Sequence, residues 1–337
     1  MELISQILDL LLTPAFAATV LRITTPILFA ALGGIMARRC GIMNLALEGS
    51  MLTAALFAVV ASALTKKAVL GGVSAALADP ALVSKATTIG MIAGFVAGTL
   101  AGVAMAMFLA YMAVGLKADA YLAGLAINTM ASGGTVFILY LAAGEKGVSS
   151  SLDSGSMPFI DLPIIKDIPI IGEIISGQNL MTYFAWICVI VVYFILFKTA
   201  TGLRIRAVGE NPHAAESVGV NVKKVQYIAL AFSGLFCGFG GVSLSMSYVQ
   251  FFSRGMTAGK GFIGMSAMNL GNASPVATAV AALLFGFFDA LANVMQTLSI
   301  PVQFVQAIPY VATLVGLVIF AIQSENKVKK LKAKQAK

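Results

Sequence analysis

Long, uninterrupted apolar runs dominate this sequence of 337 residues. Several runs reach the roughly 20 residues that a helix needs to cross about 30 Å of hydrocarbon. They are continuous rather than alternating, which excludes a transmembrane barrel, because barrel strands alternate apolar and polar side chains. Only 11% of the residues are charged, against about a quarter in soluble proteins. The sequence therefore predicts an all-α, polytopic transmembrane helical bundle.

Hydropathy predicts about nine membrane crossings within a single transmembrane domain, residues 1–337. The seventh crossing is short and rich in glycine, so we expect a broken or partly re-entrant helix there. Membranes tolerate such a break only where protein or a water-filled cavity satisfies the freed backbone groups. The predicted spans are residues 15–37, 42–63, 88–114, 119–142, 180–198, 225–249, 259–272, 275–297 and 302–322.

The distribution of Lys and Arg predicts the orientation in the membrane. With the C-terminus inside, inner segments hold fourteen of the 22 basic residues and outer segments hold seven, as the positive-inside rule requires. This orientation, N-terminus out and C-terminus in, makes 143–179 an extracellular loop, 199–224 the main cytoplasmic loop and 323–337 a basic cytoplasmic tail. The net charge of +8 thus reflects topology, and we expect no nucleic-acid partner.

Polar side chains inside the spans are the first candidates for function. Asn44 and Glu48 lie four residues apart, so they project from one face of the second span. A carboxylate within hydrocarbon costs about 2.5 kcal/mol or more, so such a group usually faces a cavity or a partner. The pair stabilises the bundle, lines a polar pathway or caps a helix break, and the sequence leaves these alternatives open. The candidate pathway residues are Asn44, Glu48, Asn128 and Asn269.

Two further charges, Arg22 and Asp289, lie at equal predicted depth, about 12 Å from the outer ends of the first and eighth spans. Equal depth predicts an intramembrane ion pair, which we favour over a transport role because paired charges are the arrangement of low cost. In the third span, Gly90, Gly94 and Gly98 begin a four-residue glycine repeat on one helix face. Close packing within the chain is favoured over a dimer interface for this repeat.

No motif for an enzyme appears in the sequence. There is no HExxH, no Ser/His/Asp arrangement and no nucleotide-binding GxxxxGK[ST], and His213 is the single histidine. The three cysteines, Cys40, Cys188 and Cys237, have neither zinc-binding nor disulfide spacing. We therefore expect no catalytic residues, no metal and no cofactor. The energy for transport would come from a partner's ATP hydrolysis or from an ion gradient.

The cytoplasmic loop contains the sequence GENPHAAESVGV. It predicts a turn at Asn211 and Pro212, a short helix over 213–218 and a stop at Gly219. An exposed short helix between basic residues is typical of a docking element. A loop that lies on the lipid surface under the positive-inside rule is the alternative.

Several segments resemble one family of membrane proteins. The loop and the span after it, TGLRIRAVGENPHAAESVGVNVKKVQYIALAFSGLFCGFGGVSLSM, resemble those of permeases in the ribose, nucleoside and branched-chain amino acid class of bacterial ABC importers. TPILFAALGGIMARRCGIMNLALEGSMLTAA is similar to the nucleoside-type members, which carry a G-x-x-N-x-x-L-E-G pattern. MTAGKGFIGMSAMNLGNASP and LLFGFFDAL extend the resemblance to most of the chain, with 64–86 and 143–179 showing least of it.

The resemblance implies a type II-like importer permease of the bacterial cytoplasmic membrane, without an ATPase site of its own. Two such subunits, identical or homologous, would enclose a path, each docked on an ATP-binding cassette subunit through a coupling helix. A substrate-binding lipoprotein would deliver the nucleoside outside, and membrane lipid would surround the subunits. The coupling residues would be Gly209, Glu210, Asn211, Pro212, His213, Ala214, Ala215, Glu216 and Gly219.

Other functions remain open from the sequence. A sugar or a branched-chain amino acid could replace the nucleoside, although Leu47-Glu48-Gly49 fits the patterns of those permeases less well. An ion-coupled secondary transporter would use Glu48 or Asp289 as a proton relay, and a membrane scaffold would transport nothing. Near the outer end of the sixth span, Tyr248, Phe251 and Phe252 could stack on a base, but anchoring at the membrane interface is favoured for these aromatic residues.

Overall fold

The computed structural model describes residues 13–71, 79–163 and 171–296, and in addition residues 11, 311, 314–316 and 318. The predicted ninth span, 302–322, is described only at residues 311, 314–316 and 318. The predicted basic tail, 323–337, lies outside the described residues.

The described chain is almost entirely helical. Its one small sheet is an antiparallel pair of strands, β1 and β2, in the segment predicted to lie outside the membrane. Two helices, α3 and α9, end in π-helical turns, Tyr111–Gly115 and Ser243–Tyr248. The elements are α1 (Pro14–Arg39), α2 (Leu47–Val69), α3 (Pro80–Ala110), α4 (Ala120–Ala143), β1 (Phe159–Ile160), α5 (Ile171–Ile175), β2 (Gln178–Asn179), α6 (Leu180–Lys198), α7 (Ala200–Glu210), α8 (Pro212–Ser217), α9 (Val222–Val242), α10 (Lys260–Leu270) and α11 (Pro275–Gln296).

Seven helices in the described ranges are long and apolar enough to cross a membrane. They are α1, α2, α3, α4, α6, α9 and α11, and they confirm a multi-pass helical bundle. Helix α10 occupies the predicted seventh span but has only 11 residues. At 1.5 Å per residue it is about 16 Å long, roughly half of the hydrocarbon thickness. A short helix at this position is confirmed, and a re-entrant path through the membrane stays a prediction.

The second predicted span needs a correction at its start. Residues 42–45 are not helical, and α2 begins only at Leu47. Gly41 has a φ of +83°, a conformation that glycine adopts without steric cost, and it turns the chain away from the end of α1. The apolar character of this segment concealed the break, because hydropathy reports burial rather than hydrogen bonding.

Helix starts are specified locally by capping side chains. The side chains of Asp119, Asn179 and Asn221 each accept a hydrogen bond from a backbone N–H in the first turn of the following helix. Such caps satisfy donors that have no partner within the helix. Proline is the first residue of α3 and of α8, where its missing N–H costs nothing.

Helix α1 is the centre of the bundle. Every residue from 23 to 37 is buried, which means that protein surrounds this helix on all sides. Its neighbours are α9, α10 and α11. The buried part of α1 is therefore the core around which the other helices pack.

The glycine repeat of α3 packs inside the chain. Gly90, Gly94, Gly98 and Gly102 are all buried. A Cβ atom on Gly98 would lie 2.7 Å from the Ala54 carbonyl oxygen of α2, and one on Gly102 would lie 2.6 Å from the Gly238 Cα atom of α9. The prediction that this repeat packs within the chain is confirmed.

Candidate functional site

The non-helical segment before α2 is bonded by Asn44. The Asn44 Oδ1 atom accepts a hydrogen bond from the Ala46 N–H at 2.8 Å, and the Nδ2 group donates to the Ser233 Oγ atom of α9 at 2.9 Å. Asn44 is buried, where water cannot reach it, so these hydrogen bonds within the chain satisfy its polar groups. Asn44 therefore shapes the entrance to α2 and joins it to α9.

Asn128 of α4 bonds the same entrance from the other side. Its Oδ1 atom accepts a hydrogen bond from the Gly49 N–H, and its Nδ2 group donates to the Leu45 carbonyl oxygen, both at 2.8 Å. Gly49 permits this approach, since a Cβ atom there would lie 2.8 Å from the Asn128 Oδ1 atom. Both ends of the Asn128 amide are thus used, one by the backbone of α2 and the other by the non-helical segment before it.

Glu48, the second residue of α2, bonds the start of a different helix. Its Oε1 atom accepts a hydrogen bond from the Gly259 N–H at 2.8 Å, and its Oε2 atom accepts one from the Gly261 N–H at 2.7 Å. These donors belong to the N-terminus of α10, where aligned peptide dipoles leave a partial positive charge of about half an elementary charge. Glu48 therefore needs no neighbouring cation in the sequence, because a helix end supplies the positive potential.

Two glycines make room for this contact. Gly259 has a φ of +80°, and a Cβ atom on Gly261 would lie 2.6 Å from the Glu48 backbone nitrogen. Glu48 therefore joins the start of α2, to which it belongs, to the start of α10, which it bonds. We call Asn44, Glu48 and Asn128 with the backbone groups that they bond the polar clamp.

Asn269 lies apart from the other three predicted pathway residues. It is at the opposite end of α10, where its Oδ1 atom accepts a hydrogen bond from the Arg38 guanidinium group. The structure thus brings together Asn44, Glu48 and Asn128 but not Asn269. The contacts of all four are with other parts of the chain, and a role in the pathway stays a prediction for each of them.

The predicted ion pair between Arg22 and Asp289 is replaced by other partners. The Asp289 Oδ2 atom lies 3.2 Å from the Lys260 Nζ atom, and their side chains are only 15% and 14% exposed. Arg22 donates from Nε to the Gln178 Oε1 atom at 2.9 Å. The correction has a simple cause: Lys260 begins α10, which packs against α11, and predicted depth alone does not identify this neighbour.

A second ion pair was not predicted. The Lys66 Nζ atom lies 2.7 Å from the Asp153 Oδ1 atom, and Lys66 is buried near the end of α2. The neighbouring Gly155 N–H donates to the Ser62 Oγ atom of α2 at 2.9 Å. The segment predicted as the extracellular loop is thus tied to α2, by residues too far apart in sequence to form a recognisable pattern.

A cavity of about 130 Å³ with several polar side chains in its wall opens between α1, α6, the end of α9 and the small sheet. It lies at the ends of helices and in the connections between them rather than at the polar clamp. We call it the outer cavity, because its wall includes residues of the predicted extracellular loop. The lining residues that carry polar groups or aromatic rings include Arg22, Phe159, Asn179, Ser247, Tyr248 and Gln250.

The outer cavity presents aromatic rings beside one polar group that is unsatisfied among the described residues, the Ser247 hydroxyl. Phe159 and Tyr248 are 54% and 45% exposed, and the Arg22 guanidinium carbon lies 5.9 Å from the centre of the Phe159 ring. The Ser247 Oγ atom is buried and has no hydrogen-bond partner among the described residues. Rings that can stack and polar groups that can still bond are the usual components of a site for a small polar ligand.

The three aromatic residues considered from the sequence have different positions. Tyr248 lines the outer cavity, and Phe251 is exposed. Phe252 is fully buried in a cluster with Leu52 and Val59 of α2. Stacking on a base and anchoring at the membrane interface are therefore both wrong for Phe252, which is a core residue.

The short helix predicted in the cytoplasmic loop is present as α8, Pro212–Ser217. The Asn211 Oδ1 atom accepts a hydrogen bond from the Ala214 N–H at 3.1 Å, and Gly219 has a φ of +83°. Only Ala215 of this helix is buried. The predicted coupling residues Gly209 and Glu210 belong instead to the end of α7, so most of segment 199–224 is helical.

Similarity to known proteins covers nearly the whole chain. The family model described as "Branched-chain amino acid transport system / permease component" matches residues 16–323. Nucleoside ABC transporter permease protein NupC of Lactococcus lactis subsp. cremoris is 32% identical over 308 residues, which are 90% of this chain and 91% of the relative. Guanosine ABC transporter permease protein NupQ of Bacillus subtilis is 33% identical over 302 residues, 88% of each chain.

A third relative has a different substrate in its name. Putative glucose ABC transporter permease protein TsgC13 of Haloferax volcanii is 32% identical over 294 residues, which are 85% of this chain and 80% of the relative. No solved structure matches the chain.

Proposed function

Because this chain belongs to the family of branched-chain amino acid transport permeases, we propose that it is the membrane permease subunit of an ATP-driven importer of nucleosides. The observation that carries the proposal is the similarity of this chain to NupC and NupQ over 90% and 88% of its length. Transport would proceed by alternating access, which requires different contacts in two states rather than a catalytic residue.

The outer cavity is the proposed first binding position for the nucleoside. Phe159 and Tyr248 would stack on the base, since every base has a flat π-face. The Ser247 hydroxyl and the Gln250 amide would bond the polar edges of the base or the ribose hydroxyls. Arg22 is held by Gln178 and is therefore placed to orient the ligand.

A second permease subunit would complete the path. The outer cavity of about 130 Å³ is smaller than the roughly 300–1,000 Å³ of most ligand sites. One chain alone thus encloses part of a nucleoside. We propose that an identical or homologous permease closes the other side, and that a substrate-binding lipoprotein delivers the nucleoside to this opening.

Coupling to ATP hydrolysis is assigned to α8 and to the end of α7. Helix α8 is short and capped, and its only buried side chain is Ala215, so its other side chains are available to an ATP-binding cassette subunit. The proposed orientation, N-terminus out and C-terminus in, places α8 in the cytoplasm, where ATP is available. The hydrolytic site belongs to that partner in this proposal.

An ion-coupled secondary transporter is the less supported alternative. Its proton relay would require a carboxylate that can exchange protons along a path. Glu48 is occupied by two backbone N–H groups, and Asp289 lies beside Lys260. Their contacts therefore favour structural roles over proton transfer.

Reconstitution with partners tests the proposal directly. Proteins that co-purify with this chain are identified, and uptake of labelled nucleoside is measured in proteoliposomes. We expect uptake that stops when the partner's ATPase is disabled and that excess unlabelled nucleoside reduces but glucose does not. A chain with a Gly/Ser linker at 209–220 should reach the membrane but lose uptake.

Two results would contradict the proposal. Uptake by this chain alone that an uncoupler abolishes would establish the secondary transporter. Competition by glucose but not by nucleoside would instead assign the sugar substrate suggested by the name of TsgC13, while leaving the ATP-driven mechanism intact.

A further inference from the structure

Three arginines meet in a second cavity, where α1 and α7 end beside the turn between α10 and α11. This cavity has a volume of about 170 Å³, and we call it the arginine cavity. Its lining contains three cationic side chains and one carboxylate. The residues are Arg38, Arg39, Arg206, Gly209, Glu210, Asn272 and Ala273.

The arginines are held in place by contacts with the chain. Arg39 donates from Nε to the Ala273 carbonyl oxygen at 3.0 Å and from Nη2 to the Asn272 carbonyl oxygen at 3.3 Å. The guanidinium carbons of Arg39 and Arg206 lie 6.0 Å and 5.0 Å from the centre of the Phe197 ring. These contacts fix the groups before any ligand arrives, which reduces the entropy cost of binding.

The charges in the arginine cavity are not balanced. The Arg206 Nε atom is buried and has no hydrogen-bond partner among the described residues. The ion pairs found between described residues join Lys66 with Asp153 and Lys260 with Asp289, so Glu210 is not within ion-pairing distance of these arginines. Like charges in a partly desolvated cavity repel one another, and a bound anion would remove that cost.

We propose that the arginine cavity binds a phosphate-bearing anion. Guanidinium groups bond phosphate oxygens through paired N–H groups, a geometry that lysine cannot provide. The volume fits a phosphate group rather than a complete nucleotide, given that sites for larger ligands usually exceed roughly 300 Å³. The phosphate can belong to a lipid headgroup or to a soluble phosphomonoester, since both present the same oxygens.

The position of this site gives it a regulatory consequence. Arg206 and Gly209 belong to α7, which leads directly into α8. A Cβ atom on Gly209 would collide with the Arg39 carbonyl oxygen, so α7 and the end of α1 are in backbone contact. An anion in the cavity would join α1, α7 and the turn after α10 into one unit. This inference does not depend on which substrate is transported.

Native mass spectrometry and thermal unfolding of the purified full chain test the proposal. The probes are phosphatidylglycerol and phosphatidylcholine added to detergent micelles, and inorganic phosphate added without lipid. We expect phosphatidylglycerol or inorganic phosphate to bind and to raise the Tm, and phosphatidylcholine to have little effect. Arg206→Gln should weaken that binding by about tenfold or more, because a charged hydrogen bond is lost.

Arg204→Gln is the matched control, because Arg204 is an exposed arginine of the same helix and does not line the arginine cavity. It should retain wild-type binding. Where Arg206→Gln does not fold, Arg38→Gln removes an exposed cation of the cavity and should still lower the affinity.

Binding of phosphatidylglycerol that inorganic phosphate does not displace identifies a lipid headgroup, and binding of inorganic phosphate alone identifies a soluble anion. Binding of neither probe, or equal losses in Arg206→Gln and Arg204→Gln, would overturn the proposal.

Discussion

The polar clamp and the outer cavity are both polar regions of an apolar bundle, but their hydrogen bonds are organised differently. In the clamp, Asn44, Glu48 and Asn128 spend their polar atoms on backbone groups and on Ser233. In the outer cavity, the Ser247 Oγ atom has no partner in the described part of the chain. The difference separates polar residues that the fold requires from polar residues that remain available to a ligand.

This comparison changes the significance of an intramembrane carboxylate. Glu48 is the most conspicuous polar residue in the sequence because it lies in an apolar run. Its contacts show that it accepts hydrogen bonds from two backbone N–H groups at the start of the short helix α10. If the two regions differ in this way, substitutions in the polar clamp should lower stability, and substitutions in the outer cavity should lower ligand affinity.

Replacement of Glu48 should have the largest effect. Glu48→Ala leaves two buried N–H groups of α10 without an acceptor, and each costs about 1–3 kcal/mol, so the total loss is about 2–6 kcal/mol. We expect a much lower Tm in detergent and little folded protein. Glu216→Ala, a control on the exposed side of α8, should unfold like the wild type. A wild-type Tm for Glu48→Ala would show that the clamp does not hold α10.

Gly261→Ala should follow in size. The added Cβ atom would lie 2.6 Å from the Glu48 backbone nitrogen, so α10 must move away from α2, and overpacking of this kind costs about 1–3 kcal/mol. Gly133→Ala in α4 is the control, since no atom lies within 4 Å of the added Cβ. Thermal unfolding of both variants checks the prediction, and a stability loss in Gly133→Ala alone would refute it.

Asn128→Ala should have a moderate effect. It removes two bonds between neutral groups at the start of α2, each with a net contribution of about 0.5–1.5 kcal/mol. We expect a loss of about 1–3 kcal/mol, seen as a lower Tm, with substrate selectivity unchanged. Thr129→Ala, on the exposed side of the same helix, is the control. A change of selectivity in Asn128→Ala without loss of stability would move this residue from the clamp to the transport path.

Changes in the outer cavity should alter stability least. Ser247→Ala removes a buried hydroxyl that makes no bond within the described residues, so the Tm should not fall, because no hydrogen bond of the fold is lost. The nucleoside affinity of the reconstituted importer should fall several-fold, because a bond to the ligand is lost. Equal affinities would place the ligand elsewhere.

Sequence patterns predicted the features that depend on neighbouring residues. The short α10 followed from its glycine content, and the exposed α8 followed from Asn211, Pro212 and Gly219. The inward orientation of Asn44 and Glu48 followed from the cost of polar groups in hydrocarbon. Each of these features is determined within one or two helical turns.

Features that join distant segments could not be predicted from the sequence. Glu48 and Gly259 are 211 positions apart, and no local pattern connects a carboxylate with a helix end that far away. The partner of Asp289 was misassigned because hydropathy locates a residue by depth but does not identify its neighbours. The outer cavity depends on Phe159, which reaches the wall through a two-residue strand without any periodic signal.

The burial of residues 23–37 of α1 on every side limits how this permease can move. Since residues 23–37 have no exposed face, pulling neighbouring helices away from them would open voids that lipid tails fill poorly, and cavities in a packed interior are costly. We expect α1 to keep its position during the transport cycle, while peripheral helices such as α4 and α6 tilt relative to it.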